Sequence, residues 1–231
     1  TPVELRDYQI SIVNNFLKNP QSLQEIATGA GKTLMTAALS YSIEQYGRSI
    51  VIVPNKSLVT QTEADYINLG LDVGVYFGDR KEYNKTHTIC TWQSLNNMLK
   101  KTKAGEAEVE IGDFIEGVVC VMVDEVHMAK ADALKTLLTG VFAKVPIRWG
   151  LTGTVPKEDF EAQQIFVSLG PCVHEVHAHE LQAQGVLSAC HVNITQLIDL
   201  PEFRSYAEEY KYLVTDEDRM IFISKLVNGI S

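Results

Sequence analysis

Long apolar runs are missing from the 231 residues. None approaches the ~18 apolar residues that a membrane-spanning helix needs. The start, TPVELRDYQ, has no basic segment leading into an apolar one, so no secretory leader is expected. Both absences predict a cytoplasmic chain, and the lack of an initiator Met suggests a front that has been trimmed. Cysteine is sparse: Cys90, Cys120, Cys172 and Cys190 form no CxxC pair and no zinc-like spacing. Cys120, inside VVCVMV, reads as a buried reduced thiol. The histidines of HEVHAH (174–179) would be split across two faces of a strand, which argues against a metal site there. No NKxD occurs, since the Asn-Lys pairs are NKS at 55–57 and NKT at 84–86, so a guanine-reading loop of that type is excluded. Positive charge is also short. Twenty Lys and Arg against 29 Asp and Glu leave a net charge of −9, which argues against a surface that grips nucleic acid all over. A few local contacts in a groove remain compatible with it.

Apolar residues make up 45% of the chain, enough for a core. Short, nearly continuous apolar runs at Ile50–Val53, Val73–Phe77, Thr88–Thr91, Val118–Val123 and Ile147–Leu151 read as strands buried on both faces. Helical patterns lie between them. Residues 32–45 are helix formers, and 131–142 place Leu134, Leu137, Leu138 and Val141 on one face. The alternation predicts an α/β fold with a mostly parallel sheet, whose ligands bind at the carboxyl ends of the strands. KKTKAGEAEVEIGD (100–113) reads as an exposed loop or hairpin, and the basic RKEYNK (80–85) either as an exposed polar loop or as a segment that touches nucleic acid. After Pro201 the pattern turns helical, with Phe203, Tyr206, Tyr210 and Leu213 on one face and a capping signal in TDED (215–218).

Two stretches carry chemistry. EIATGAGKT (25–33) is a glycine-rich loop running into a helix. Its glycines let backbone amides close around phosphate oxygens, Lys32 can reach the β- and γ-phosphates, and the Thr33 hydroxyl can ligate Mg2+. Ile26 stands where the strict pattern wants Gly. VVCVMVDEVH (118–127) is a buried strand ending in paired acids. Asp124 can hold Mg2+ through water, and Glu125 can orient and deprotonate an attacking water.

A phosphate loop followed by Asp124-Glu125-Val126-His127 resembles the superfamily 2 DExH helicases and translocases. Further motifs of their first motor domain follow in order over roughly residues 1–200. The resemblance implies a RecA-like P-loop domain with helices on both faces of the sheet and ATP with Mg2+ as cofactors. LRDYQ (5–9) is similar to the adenine-sensing motif, which assigns Arg6 and Gln9 to the base and Thr28, Gly29, Ala30, Gly31, Lys32 and Thr33 to the phosphates. VIVPNKSLVTQ (51–61) and ICTWQSL (89–95) resemble motifs that grip a nucleic-acid backbone, implicating Pro54, Asn55, Lys56, Ser57, Gln61, Thr91, Trp92 and Gln93. Asn55 or Ser57 can cap the following helix, whose start with Lys56 suits a phosphate. Trp92 reads either as a base-stacking side chain or as core. LTGT (151–154) resembles the motif linking hydrolysis to strand movement, through Thr152 and Thr154, with His127 a γ-phosphate sensor or a partner of either threonine. LRDYQ, ATGAGKT, DEVH and LTGT look most like a phage helicase that works on branched DNA and RNA–DNA hybrids.

The family needs a second RecA-like domain, which supplies an arginine finger. Beyond Thr154 the only arginines are Arg204 and Arg219, neither in a Gly-Arg context. Residues 1–200 are therefore expected to be motor domain 1, and 201–231 a helical lead into a second domain outside this chain. Alone, the chain is expected to bind ATP–Mg2+ weakly and turn it over slowly. Competing readings are a double-strand DNA translocase that separates no strands, a small-molecule kinase or GTPase, and a nucleic-acid-binding module without hydrolysis.

Overall fold

A computed structural model describes residues 4–128, 131–155, 159–190, 192, 194 and 202–229. Two units are present, Thr1–Ala189 and Cys190–Ser231. The first holds β1 (Gln21–Ile26), β2 (Arg48–Val53), β3 (Val73–Phe77), β4 (Arg80–Lys81), β5 (His87–Thr91), β6 (Val118–Asp124), β7 (Ile147–Thr152) and β8 (Cys172–Val176). They form one sheet in the order β4-β3-β5-β2-β6-β7-β1-β8. Every pairing is parallel except the antiparallel β3–β4 hairpin. This is the mostly parallel RecA-like α/β sheet that the sequence predicts.

Strand pleating sorts the side chains. Val51 and Val53 face one apolar cluster, while Ile50 and Ile52 face the other. The first cluster is completed by α1 (Asp7–Lys18), α2 (Lys32–Ile43), α3 (Lys56–Asn68) and α8 (Ala178–Ala183). The second takes α4 (Trp92–Ala104), α5 (Ile111–Ile115), α6 (Ala131–Thr136) and α7 (Asp159–Leu169). Both faces of the sheet are thus covered, and its carboxyl edge carries the loops. Along that edge the tips of β6, β7 and β1 are neighbours, with β2 and β5 next in line.

Three local expectations need correction or refinement. Residues 100–104 are the last turn of α4, which ends at Gly105, and Ile111–Ile115 is a short helix, so 100–113 is not a loop or hairpin throughout. Lys and Thr without an apolar stripe hide a helix end from a periodicity search. The helical pattern over 131–142 is borne out with Leu134, Leu137 and Leu138 buried, but its winding widens from α6 into a π-helix at Leu137–Val141. In RKEYNK, Arg80 and Lys81 form β4, and Arg80 is held by Glu63.

In the second unit, α9 (Tyr206–Thr215) starts at Ser205 and α10 (Glu217–Asn228) at Asp216, each capped by that residue's side chain. Neither helix buries a residue. The end assigned to the first domain, around residue 200, lies outside the described residues.

Candidate active site

The phosphate loop leaves β1 at Ile26 and enters α2 at Lys32. Gly29 and Gly31 sit at φ of 84° and 82°, a region that other residues enter at a cost. A Cβ on Gly31 would lie 2.7 Å from Gln9 Nε2, so glycine is also needed for space. The loop is braced from α1: Gln9 Nε2 and Tyr8 Oη both donate to the Ala30 carbonyl, at 3.0 and 2.9 Å. Gln9 Oε1 in turn accepts from the Arg6 amide at 3.0 Å. The first amides of α2 have no acceptor within their own helix, so they suit an anion.

Lys32 is buried, and its ammonium lies 2.9 Å from Glu125 Oε1 and 3.4 Å from the Ile26 carbonyl. Glu125 is the one described non-glycine residue with a left-handed backbone, at φ 50°. That conformation is uncommon for a glutamate and is held here by the surroundings. The Glu125 amide donates to Asp124 Oδ1 at 2.9 Å, and Glu125 Oε2 accepts from the Gly153 amide at 3.3 Å. Burial and the neighbouring Glu125 push the Asp124 carboxyl up to about 6, against the opposing pull of Lys32.

From Glu125 the network crosses to the tip of β7. His127 Nδ1 lies 2.7 Å from Thr152 Oγ1 and 3.5 Å from Glu125 Oε2. The Thr152 hydroxyl donates to the Thr154 carbonyl at 2.8 Å and accepts from the Thr154 amide at 3.3 Å. With its one proton used on Thr154, Thr152 accepts from His127, so Nδ1 carries the imidazole proton. A Cβ on Gly153 would come 3.1 Å from Thr28 Oγ1, a close approach between the β7 tip and the phosphate loop.

The residues expected to grip a nucleic-acid backbone sit at the neighbouring strand tips. Asn55 caps α3, accepting from the Leu58 amide at 3.0 Å, and Thr91 caps α4, accepting from the Ser94 amide at 3.3 Å. Gln93 donates to the Pro54 carbonyl at 3.4 Å and ties the two caps together. Lys56, Ser57, Gln61 and Gln93 are exposed, whereas Pro54 and Thr91 are buried. Trp92 is half-buried and packs against the second apolar cluster.

Lys32, Glu125, His127, Thr152 and Gly153 are thus joined in one network, while Gln9 reaches the phosphate loop from α1 and Thr28, within the loop, faces Gly153. Three contributors escaped the sequence reading. Tyr8 braces Ala30, Gly153 anchors Glu125, and Glu25 Oε2 accepts from the Val155 amide at 3.3 Å. All three lie inside stretches already quoted, LRDYQ, LTGT and EIATGAGKT, but no phosphate or water chemistry marks them there.

A phosphate loop, paired acids and a Thr-Gly-Thr tip on adjacent strands of this sheet define the first RecA-like domain of a superfamily 2 motor. Residues 2–157 match the ResIII family, described as Type III restriction enzyme, res subunit, and the chain belongs to that family. The DNA 3'-5' helicase XPB of Kineococcus radiotolerans is 26% identical over 233 residues, covering 96% of this chain and 40% of that protein. The phage helicase to which the motifs point has a counterpart in the ATP-dependent DNA helicase UvsW of Enterobacteria phage T4, 24% identical over 241 residues, covering 97% of this chain and 45% of UvsW. A crystal structure of UvsW superposes with a TM-score of 0.62 at 21% identity, over 74% of this chain and 60% of that one. The chain therefore spans less than half the length of these two curated relatives.

Proposed function

We propose that this chain is the ATP-binding half of a DNA helicase or translocase, acting in recombination, repair and the processing of replication forks or R-loops. A second RecA-like domain, outside this chain, closes over the nucleotide. The observation that carries the reading is Glu125, strained at φ 50° and shared between Lys32 and the β7 tip.

The residues present fit a nucleoside triphosphate. The amides of Gly29 to Thr33 offer a phosphate cradle, and Lys32 a buried counter-charge. Bound ATP supplies a γ-phosphate open to attack by water, and Mg2+ neutralises its charge. No group of three or more His, Cys, Asp or Glu among the described residues is arranged to hold a metal alone. Thr33 and Asp124 would therefore hold the ion together with phosphate oxygens.

In the structure Lys32 and Glu125 satisfy each other. When Lys32 turns to phosphate, Glu125 is released to accept a proton from water. The Gly153 amide keeps the carboxylate tied to the TGT tip while it does so. Hydrolysis is thereby sensed on the strand that lies between the acids and the phosphate loop. Pro54 to Ser57, Gln61 and Thr91 to Gln93 grip the backbone of branched DNA or an RNA–DNA hybrid.

The test is DNA-stimulated ATP hydrolysis by the full-length protein, with strand displacement measured beside triplex displacement. Hydrolysis with strand displacement supports the helicase reading. Triplex displacement alone moves the assignment to a double-strand translocase. No stimulation by any nucleic acid refutes both.

A further inference from the structure

Beside the Thr91 cap lies a cleft of about 140 Å3, between the β3–β4 hairpin and α4. Its walls include Tyr76, Lys81, Ser94, Asn97, Lys101 and Glu108. Of these only Ser94 belongs to a motif that resembles a nucleic-acid grip, ICTWQSL (89–95).

The hairpin is built to present one lysine. Gly78 and Asp79 form its two-residue turn, with Gly78 at φ 52°, and the register sets Tyr76 opposite Lys81. Arg80 and Lys81 alternate across the ribbon. Arg80 is consumed by Glu63, with two contacts of 2.7 Å, and by Glu82. Lys81 instead lies over the Tyr76 ring, 4.4 Å from its centroid, which orients the ammonium. Among the described residues neither Lys81 nor Lys101 is in an ion pair. Ser94 lines the cleft, and its hydroxyl lies 2.9 Å from Thr91 Oγ1. The cleft is therefore continuous with the Thr91–Gln93 cap.

We propose that this cleft is a further phosphodiester site, where the strand held at Thr91–Gln93 runs on between Lys81 and Lys101. The inference rests on the nucleic-acid role proposed above. Two exposed ammonium groups supply the charge, while Ser94 and Asn97 supply neutral donors. Glu108, the one acid in the wall, sets the limit on affinity. It also explains how a chain of net charge −9 binds a polyanion: cations that are not neutralised by internal acids line one track.

The test is the salt dependence of single-stranded DNA binding by the 231-residue chain. Each lost phosphate contact flattens the log–log slope by about 0.7 for a single strand, so Lys81→Ala with Lys101→Ala flattens it by about 1.4. Glu108→Gln, which leaves both lysines in place, tightens binding. Lys56→Ala is the control for the parent reading. If Lys56→Ala weakens binding while the double variant keeps the parental slope and Glu108→Gln changes nothing, the cleft is not a phosphodiester site. If neither the parent nor any variant binds DNA, the nucleic-acid reading itself falls.

Discussion

The carboxyl edge of the sheet has two halves built in opposite ways. At the tips of β1, β6 and β7 the functional groups hold one another: Lys32 with Glu125, Glu125 with Gly153, His127 with Thr152. At the tips of β2 and β5 the bonds hold backbone, as Asn55 and Thr91 cap helices and Gln93 bridges to Pro54, while Lys56, Ser57 and Gln61 stay exposed. The first half is a latch that a ligand must open. The second is a rigid surface, proposed above as a track for nucleic acid, on which Lys56 is exposed and in no ion pair among the described residues. Chemistry needs groups poised against each other in a dry site, whereas a moving strand needs a surface that can let go.

The contrast can be broken from either side. The largest effect is expected from Lys32→Ala in the full-length protein. Steady-state phosphate release should be lost, while DNA affinity without nucleotide stays at the parental value. A parallel loss of DNA binding would show that the two halves are not separable.

Next comes Asp124→Asn. The Asp124 carboxyl is raised to about 6 in the fold, from an ordinary value near 3.8, by burial and by Glu125. For an acid shifted upward, the folded state holds the proton more tightly than the unfolded state. Its contribution to stability therefore falls as pH rises from about 4 to about 6, and stays low above that. Asp124→Asn removes this cost and should stabilise the nucleotide-free chain by about 3 kcal/mol at pH 7.5, with the gain shrinking toward zero at pH 4. Urea unfolding at the two pH values measures it. The same change should abolish turnover, since the Mg2+ proposed above would lose its carboxylate.

The smallest effect is expected on the track. Asn55→Ala removes the α3 cap and should cost about 1 kcal/mol in urea unfolding. Basal ATP turnover should not change.

Hydropathy made the central strands legible because β2, β5 and β6 are apolar on both faces. It hid β1, the strand that carries the phosphate loop. QSLQEI looks polar, yet Ser22 and Gln24 are fully buried, with Ser22 Oγ and Gln24 Nε2 donating to the Asn19 and Ile12 carbonyls while Gln24 Oε1 finds no protein partner. Buried polar groups with partners defeat a periodicity search. The edge strand β8, CVHEV, mixes polar and apolar residues on a half-exposed edge, so only the alternation at HEVHAH pointed to it, and it ends at Val176. The site was more legible than the strand beneath it, since phosphate and water chemistry restrict which residues can stand at Lys32, Asp124 and Glu125. The wiring was less so. The acceptance of Gly153 N–H by Glu125 and the Tyr8 brace on Ala30 depend on which strands are neighbours, and strand order is not written in any single segment.

The central claim is that Glu125 takes the proton from the attacking water and is held ready by Lys32 and Gly153. Single-turnover hydrolysis by full-length Glu125→Gln, with DNA present and nucleotide binding measured on the same sample, tests it most directly. The account predicts binding at the parental affinity and hydrolysis slowed by about 10²–10⁴-fold. Hydrolysis at a near-parental rate would contradict it.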